Sequence, residues 1–173
     1  MKAITRSGYI QAQFHFTTDH PIPKFDPLSS RHSDKVLISV HAAAINPIDY
    51  KLKPMLKAAH KVVGFDVSGT VVKVGKKVTS FKPGDEVFGA AYEGSLSEFA
   101  IADEAHIAKK PYFLNFMEAA ALPVAYVVTY QSLKTFANVG PESEVLIIGA
   151  SGGCGVSSNS VSFFLQRECN SFH

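Results

Sequence analysis

Residues 62–90 read VVGFDVSGTVVKVGKKVTSFKPGDEVFGA. Val dominates the first half of this stretch, and Gly64 and Gly69 interrupt it where bulges or bends in a strongly curved sheet would fall. Pro83-Gly84 is a turn signal between two strand-like runs. Upstream, KVLISVHAAA at 35–44 is apolar and β-branched at its start, follows the loop-like PIPKFDPLSSRHSD, and reads as a strand. NPIDYKLK then opens with Asn46 before Pro47, the pairing that favours an Asn cap and a Pro in the first helical position, so a short helix is expected there. Downstream, residues 96–101 and 104–108 add two short extended segments. Many short strands with frequent Gly and Pro turns indicate a β-barrel or a partly open β-roll.

The composition changes at Asn115. FMEAAALPVAYVVTYQSLKTFANV (116–139) is Ala-rich and apolar on several faces, with Glu118 in the first turn after an Asn115 cap, and should form two helices broken around Pro123. Gly140-Pro141 ends that stretch. EVLIIG (144–149) reads as a fully buried strand of the parallel-sheet type. It runs directly into Ala150-Ser151-Gly152-Gly153-Cys154-Gly155 and then a segment expected to be helical, although its Ser and Asn residues are weak helix formers. Glycines in such a turn let backbone N–H groups and a helix N-terminus approach a pyrophosphate. A plain tight turn is the competing reading, and the preceding strand favours the dinucleotide one. Cys154 reads as a small side chain filling the helix–strand contact.

A chain of 173 residues can bury a real core, and no apolar run reaches the ~20 residues that span a bilayer. The 17 basic and 15 acidic side chains are mixed, without the basic stripe that nucleic-acid binding needs. Lys51, Lys53, Lys57 and Lys61 are the one basic concentration, read as a solvated face. Residues 1–9 lack the features of a secretory signal or a transit peptide, so a cytoplasmic location is expected. Cys154 and Cys169 are too few for a disulfide framework or a Cys-based zinc site.

Five ordered motifs, HAAAINPIDYKL, GFDVSGTVVKVGKKVTSFKPGDEVFG, SLSEFAIADE, EAAALPVAYVVTYQSL and VLIIGASGGCGV, resemble the zinc-free quinone oxidoreductase branch of the medium-chain dehydrogenase/reductase superfamily. The resemblance implies a mixed, β-rich α/β chain: a GroES-like β-barrel substrate domain over 1–122, then the truncated start of an NADP-binding Rossmann domain over 123–173. It further implies NADPH as reductant, a quinone or α,β-unsaturated carbonyl as substrate, and frequently a homodimer. Zinc-dependent members carry a Cys in the first motif and a His-Glu pair in the second. Here those places hold Asn46 and Phe65-Asp66, which cannot build a three-ligand zinc site. The seven His residues form no His-x-x-x-His pair and are expected to be satisfied or exposed.

By the same resemblance, Asn46 and Tyr50 line the nicotinamide and substrate cleft. Without a metal, hydrogen bonds must stabilise an oxygen that gains electron density, and both side chains can donate. A helix cap competes for Asn46 and a half-buried aromatic for Tyr50. Thr129 matches the Thr beside the nicotinamide, against the alternative of a helix Thr bonding its own backbone. Ser151, Gly152, Gly153, Cys154 and Gly155 complete the cofactor set. Asp49 and Asp66, lacking an evident partner to shift their pKa, are expected to brace local structure, and Tyr126 and Tyr130 to be core. The alternative function is a non-catalytic remnant serving as a binding module, in which apolar surface is expected to be exposed at 145–148 and 163–165.

Overall fold

A computed structural model describes residues 1–7, 13–51, 61–91 and 94–168. Expectations for Lys53, Lys57, His60, Cys169 and His173 fall outside the described residues. Two compact units are present, Met1–Pro123 and Val124–His173.

The first unit is built around β3 (Lys35–Ala43), which pairs antiparallel with β5 (Asp66–Val74) on one side and β7 (Phe99–Asp103) on the other. With β6 (Glu86–Ala90) and β8 (Ile107–Lys109) they form a five-stranded sheet of order β7-β3-β5-β6-β8. The β-branched run explains its core: Val36, Ile38, Val67, Val71 and Val87 are all buried in one cluster with Ala100, Ala102 and Ile107. Each such side chain withdrawn from water contributes about 1.5–3 kcal/mol. A register shift between Val40 and Ala42 falls opposite Ser68 and Gly69, where a Cβ on Gly69 would collide with the Ser39 carbonyl. The bulge expected at this glycine is therefore enforced by backbone approach. Gly64, at φ 99°, bends the chain between β4 (Lys61–Val62) and β5.

β1 (Ala3–Ser7) lies between β2 (Gln13–Thr17) and β4 in a separate three-stranded sheet. Residues 96–98 tie the two sheets together: Ile4 N donates to Leu96 O at 2.8 Å, Glu98 N to Lys2 O at 3.2 Å and Val40 N to Glu98 O at 2.9 Å. The ladder does not close on itself, because β2 and β8 find no further strand among the described residues. Among the described residues the strands thus form a partly open roll.

The extended reading of 104–108 needs correction at its start. Glu104–His106 is a single 3-10 turn, drawn in by His106 Nδ1 at 3.6 Å from Asp103 and by the Glu104 N–H donating to Asp34 O at 3.0 Å. Helix α1 (Pro47–Lys51) starts where Asn46-Pro47 placed it. Helix α2 (Phe116–Ala120) carries the expected Asn115 cap, and as a full capping box: Asn115 Oδ1 accepts from Glu118 N while Glu118 Oε2 accepts from Asn115 N, both at 2.9 Å.

In the second unit, α3 (Pro123–Tyr130) runs on into a wider π-type turn over Gln131–Phe136, and α4 spans Gly153–Glu168. Asn138, at φ 50°, reverses the chain so that Val139 is buried with Val161 and Leu165 against Tyr126, Leu133 and Val145. Residues 144–149 depart from the buried strand expected there. They are unpaired, and Leu146 and Ile148 are 88% and 91% exposed. A parallel strand is buried only when strands flank it and helices cover both faces, and no strand among the described residues lies beside this one. Apolar exposure thus occurs at Leu146, Ile148, Phe163 and Phe164, whereas Val145 is half-buried and Leu165, expected on the surface, is core.

Candidate functional site

Asn46 is half-buried at the mouth of α1, and its groups are spoken for in an order the motif did not disclose. Its backbone N–H donates to Asp49 Oδ2 at 2.6 Å, so the carboxylate three residues on does the capping. Its side-chain Nδ2 donates across to Asp66 Oδ2, 2.8 Å away on β5. Both acids are buried, Asp66 completely. The expectation that neither has a partner is corrected: both bond Asn46, and burial pushes the Asp49 carboxyl up, partly offset by the Asn46 N–H. The signal was in the sequence, since Asp at the third helical position behind an Asn cap is a reciprocal-capping pattern; nothing local marked Asp66. Tyr50 is exposed, with the Lys51 ammonium 5.9 Å from its ring centre, so its phenol faces solvent rather than the half-buried setting weighed for it.

Thr129 is buried on α3, and its hydroxyl does not turn back to its own helix. Thr129 Oγ1 lies 2.7 Å from Ser157 Oγ and donates toward Cys154 O at 3.3 Å. Ser157, completely buried, also reaches Ala125 O at 3.2 Å and Cys154 O at 3.0 Å. Ser158 Oγ donates to the same Cys154 carbonyl at 2.6 Å. These residues, weak helix formers by propensity, therefore stitch the first turn of α4 to α3, which is why a Ser-rich segment is helical here. No local feature of the sequence marked Ser157 as the partner of Thr129.

The glycine turn itself is tight at one end and open at the other. Gly149 has φ 77°, and Gly152 N donates to Gly149 O at 3.0 Å. A Cβ on Gly155 would run into Gly149 O and sit 2.6 Å from Ala150 Cα, so only glycine allows the helix this close to the preceding chain. A Cβ on Gly153 would meet nothing within 4 Å. Ser151, Gly152, Gly153 and Cys154 are exposed, and the first N–H groups of α4 have no intrahelical acceptor. This open backbone face, at the positive end of a 16-residue helix, fits a phosphate. Cys154, expected to fill a helix–strand contact, is exposed instead, because Gly155 makes that close approach and no strand among the described residues covers the cysteine.

Two of the histidines have structural partners. His41 stacks on Phe116 with centroids 4.2 Å apart and bonds Thr70, while His32 accepts from Asp26 N and stacks on Phe25. Tyr126 packs in the second core, whereas Tyr130, expected there too, is 45% exposed. Among the described residues no three His, Cys, Asp or Glu side chains gather in a way that could hold a metal ion.

An antiparallel roll followed by a glycine turn opening a helix defines a class of two-part dehydrogenases and reductases, and the comparisons with known proteins agree. Residues 32–112 match the alcohol dehydrogenase GroES-like domain. The chain belongs to the medium-chain dehydrogenase/reductase superfamily and corresponds to its N-terminal portion. It is 41% identical over 136 residues to the 2-methylene-furan-3-one reductase of Solanum lycopersicum, covering 70% of this chain and 35% of that protein. It is 38% identical over 172 residues to the chloroplastic quinone-oxidoreductase homolog of Spinacia oleracea, covering 90% and 50%. The solved quinone oxidoreductase of Coxiella burnetii superposes with a TM-score of 0.77 at 30% identity, over 96% of this chain and 54% of that one. The chain thus spans half or less of the length of these two curated relatives.

Proposed function

We propose that this chain supplies the substrate domain (1–122) and the opening turn of the nucleotide domain (123–173) of an NADPH-dependent oxidoreductase that reduces quinones or α,β-unsaturated carbonyls without zinc, in the cytoplasm and as a homodimer. The observation that carries this reading is the open glycine face at Gly152–Gly153, held at the start of α4 by the Thr129–Ser157 pair. The names of the tomato and spinach relatives, a 2-methylene-furan-3-one reductase and a quinone-oxidoreductase homolog, support the substrate class.

In this reading the backbone N–H groups of Gly153 to Gly155 receive the pyrophosphate, and Thr129 keeps that turn in place and lies beside the nicotinamide. Asn46 and Tyr50 orient the bound molecule, and the Tyr50 phenol supplies a hydrogen bond where charge develops, the role a Lewis acid plays in metal-dependent relatives. Bound NADPH supplies the reducing equivalents. The adenosine half has no second strand or ribose-reading residue among the described residues, so the fit is to the phosphate and nicotinamide portions.

The exposure of Leu146 and Ile148 favours a second reading, a non-catalytic binding module. NADPH oxidation by the natural protein in the presence of a quinone or an enone tests the first: consumption is expected, and none with either substrate refutes it. Titration of the 173-residue chain with NADPH, followed by nicotinamide fluorescence, addresses the second, which saturable binding contradicts.

A further inference from the structure

Asn46 is gripped at two points, by Asp49 through its backbone and by Asp66 through its side chain. The second grip has a chemical consequence. Asp66 Oδ2 accepts from Asn46 Nδ2 at 2.8 Å, so the edge of the Asn46 amide that meets Asp66 is its nitrogen. Rotating the amide by half a turn would set Asn46 Oδ1 against Asp66 Oδ2 in a fully buried place, where a carboxylate would leave no proton between the two oxygens. Asn46 Oδ1 has no hydrogen-bond partner among the described residues, while one of the two Nδ2 protons is committed. Asp66 in turn is fixed by the strand: it begins β5, is completely buried, and is paired in register with Ala90 of β6.

We propose that Asp66 is a positioning residue that sets the polarity of the Asn46 amide, nitrogen toward Asp66 and carbonyl oxygen turned away from it, so that Asn46 takes an N–H or O–H donor of the bound molecule. The inference rests on the placement of Asn46 in the site and deepens it. The groups that fit are a primary carboxamide, such as that of a nicotinamide ring, or the hydroxyl of a hydroquinone. Stabilisation of a carbonyl oxygen gaining charge then falls to the exposed phenol of Tyr50.

The 173-residue chain labelled with ¹⁵N and ¹³C tests this by NMR. In the unsubstituted chain, one Asn46 side-chain proton is expected to exchange with D₂O markedly more slowly than its geminal partner. Asp66→Asn is expected to abolish that protection while the Ile38 and Val71 amides keep theirs. Equal exchange of the two protons in the unsubstituted chain overturns the proposal without needing a variant that folds, and so does protection that survives Asp66→Asn. On titration with NADPH and, separately, with hydroquinone, the Asn46 carbonyl ¹³C resonance is expected to shift downfield. A response confined to the remaining N–H overturns the acceptor role. Protection with no response to either probe overturns the ligand contact and the placement of Asn46 in the site, leaving only the bracket, so the two failures are distinguishable.

Discussion

Replacing Gly155 with alanine should loosen the start of α4, and the size of the effect follows from the contacts a methyl group would make. Its Cβ would lie 2.6 and 2.7 Å from Ala150 Cα and C, and closer still to Gly149 O. All three are backbone atoms, so no side chain can swing away. Overpacking of this kind costs about 1–3 kcal/mol. Alanine's higher helix preference returns up to about 1 kcal/mol of that. The net expectation is a loss of about 1–2 kcal/mol, a factor of roughly 5–30 in the local opening equilibrium. Gly153→Ala provides the control, since its methyl meets nothing within 4 Å and the helix should be unaffected or slightly firmer. Native-state hydrogen exchange at Val161 and Leu165 reads both. Faster exchange in Gly155→Ala alone is expected; equal protection in the two variants would refute the close-approach argument. Gly153→Ala should nevertheless weaken NADPH binding, because its methyl stands on the face left open for phosphate.

Thr129→Val, nearly isosteric, should cost about 1 kcal/mol, since Ser157 keeps Ala125 O and Cys154 O as acceptors; Thr129→Ser should cost less, and urea unfolding of the second unit checks the order. Asn115→Ala removes one half of the capping box on α2 and should lower the first unit's stability by about 0.5–2 kcal/mol in the same assay. Asp49 governs a pH dependence. Burial raises its folded pKa above the usual aspartate value, so the stability linked to its proton is complete below that usual value and is lost as pH rises through the raised one. Glu104 and Asp85 act in the opposite sense, their carboxyls being held low by backbone N–H groups of Ser80 and Lys82 respectively. The difference between unsubstituted chain and Asp49→Asn isolates the Asp49 contribution. Urea midpoints should decline less with rising pH in the variant, and parallel profiles would contradict the sign.

What could be read from residues alone was what local chemistry dictates. Val-rich runs, the helix start at Asn46-Pro47 and the Asn115 cap emerged because each depends on neighbours a few positions away, whereas Gly69 showed only as a glycine among valines, its reason lying in Ser39 on the neighbouring strand. The failures share the opposite cause. The composition of 144–149 implies burial, but burial is conferred by flanking strands, and none lies beside it among the described residues. Cys154 was placed inward for the same reason. At the candidate site, the types and positions of Asn46 and Thr129 were evident, whereas their partners Asp66 and Ser157 lie 20 and 28 residues away along the chain. Such a separation leaves no periodic trace.

The six residues from Glu144 to Gly149 have a practical consequence beyond the fold. The unpaired backbone over 144–147, with Leu146 and the neighbouring Ile148 exposed, is a template on which another extended peptide can form a ladder. At high concentration copies of the chain should therefore recruit one another through this segment, and a lysine at position 146 or 148 is the substitution that would keep them apart in solution.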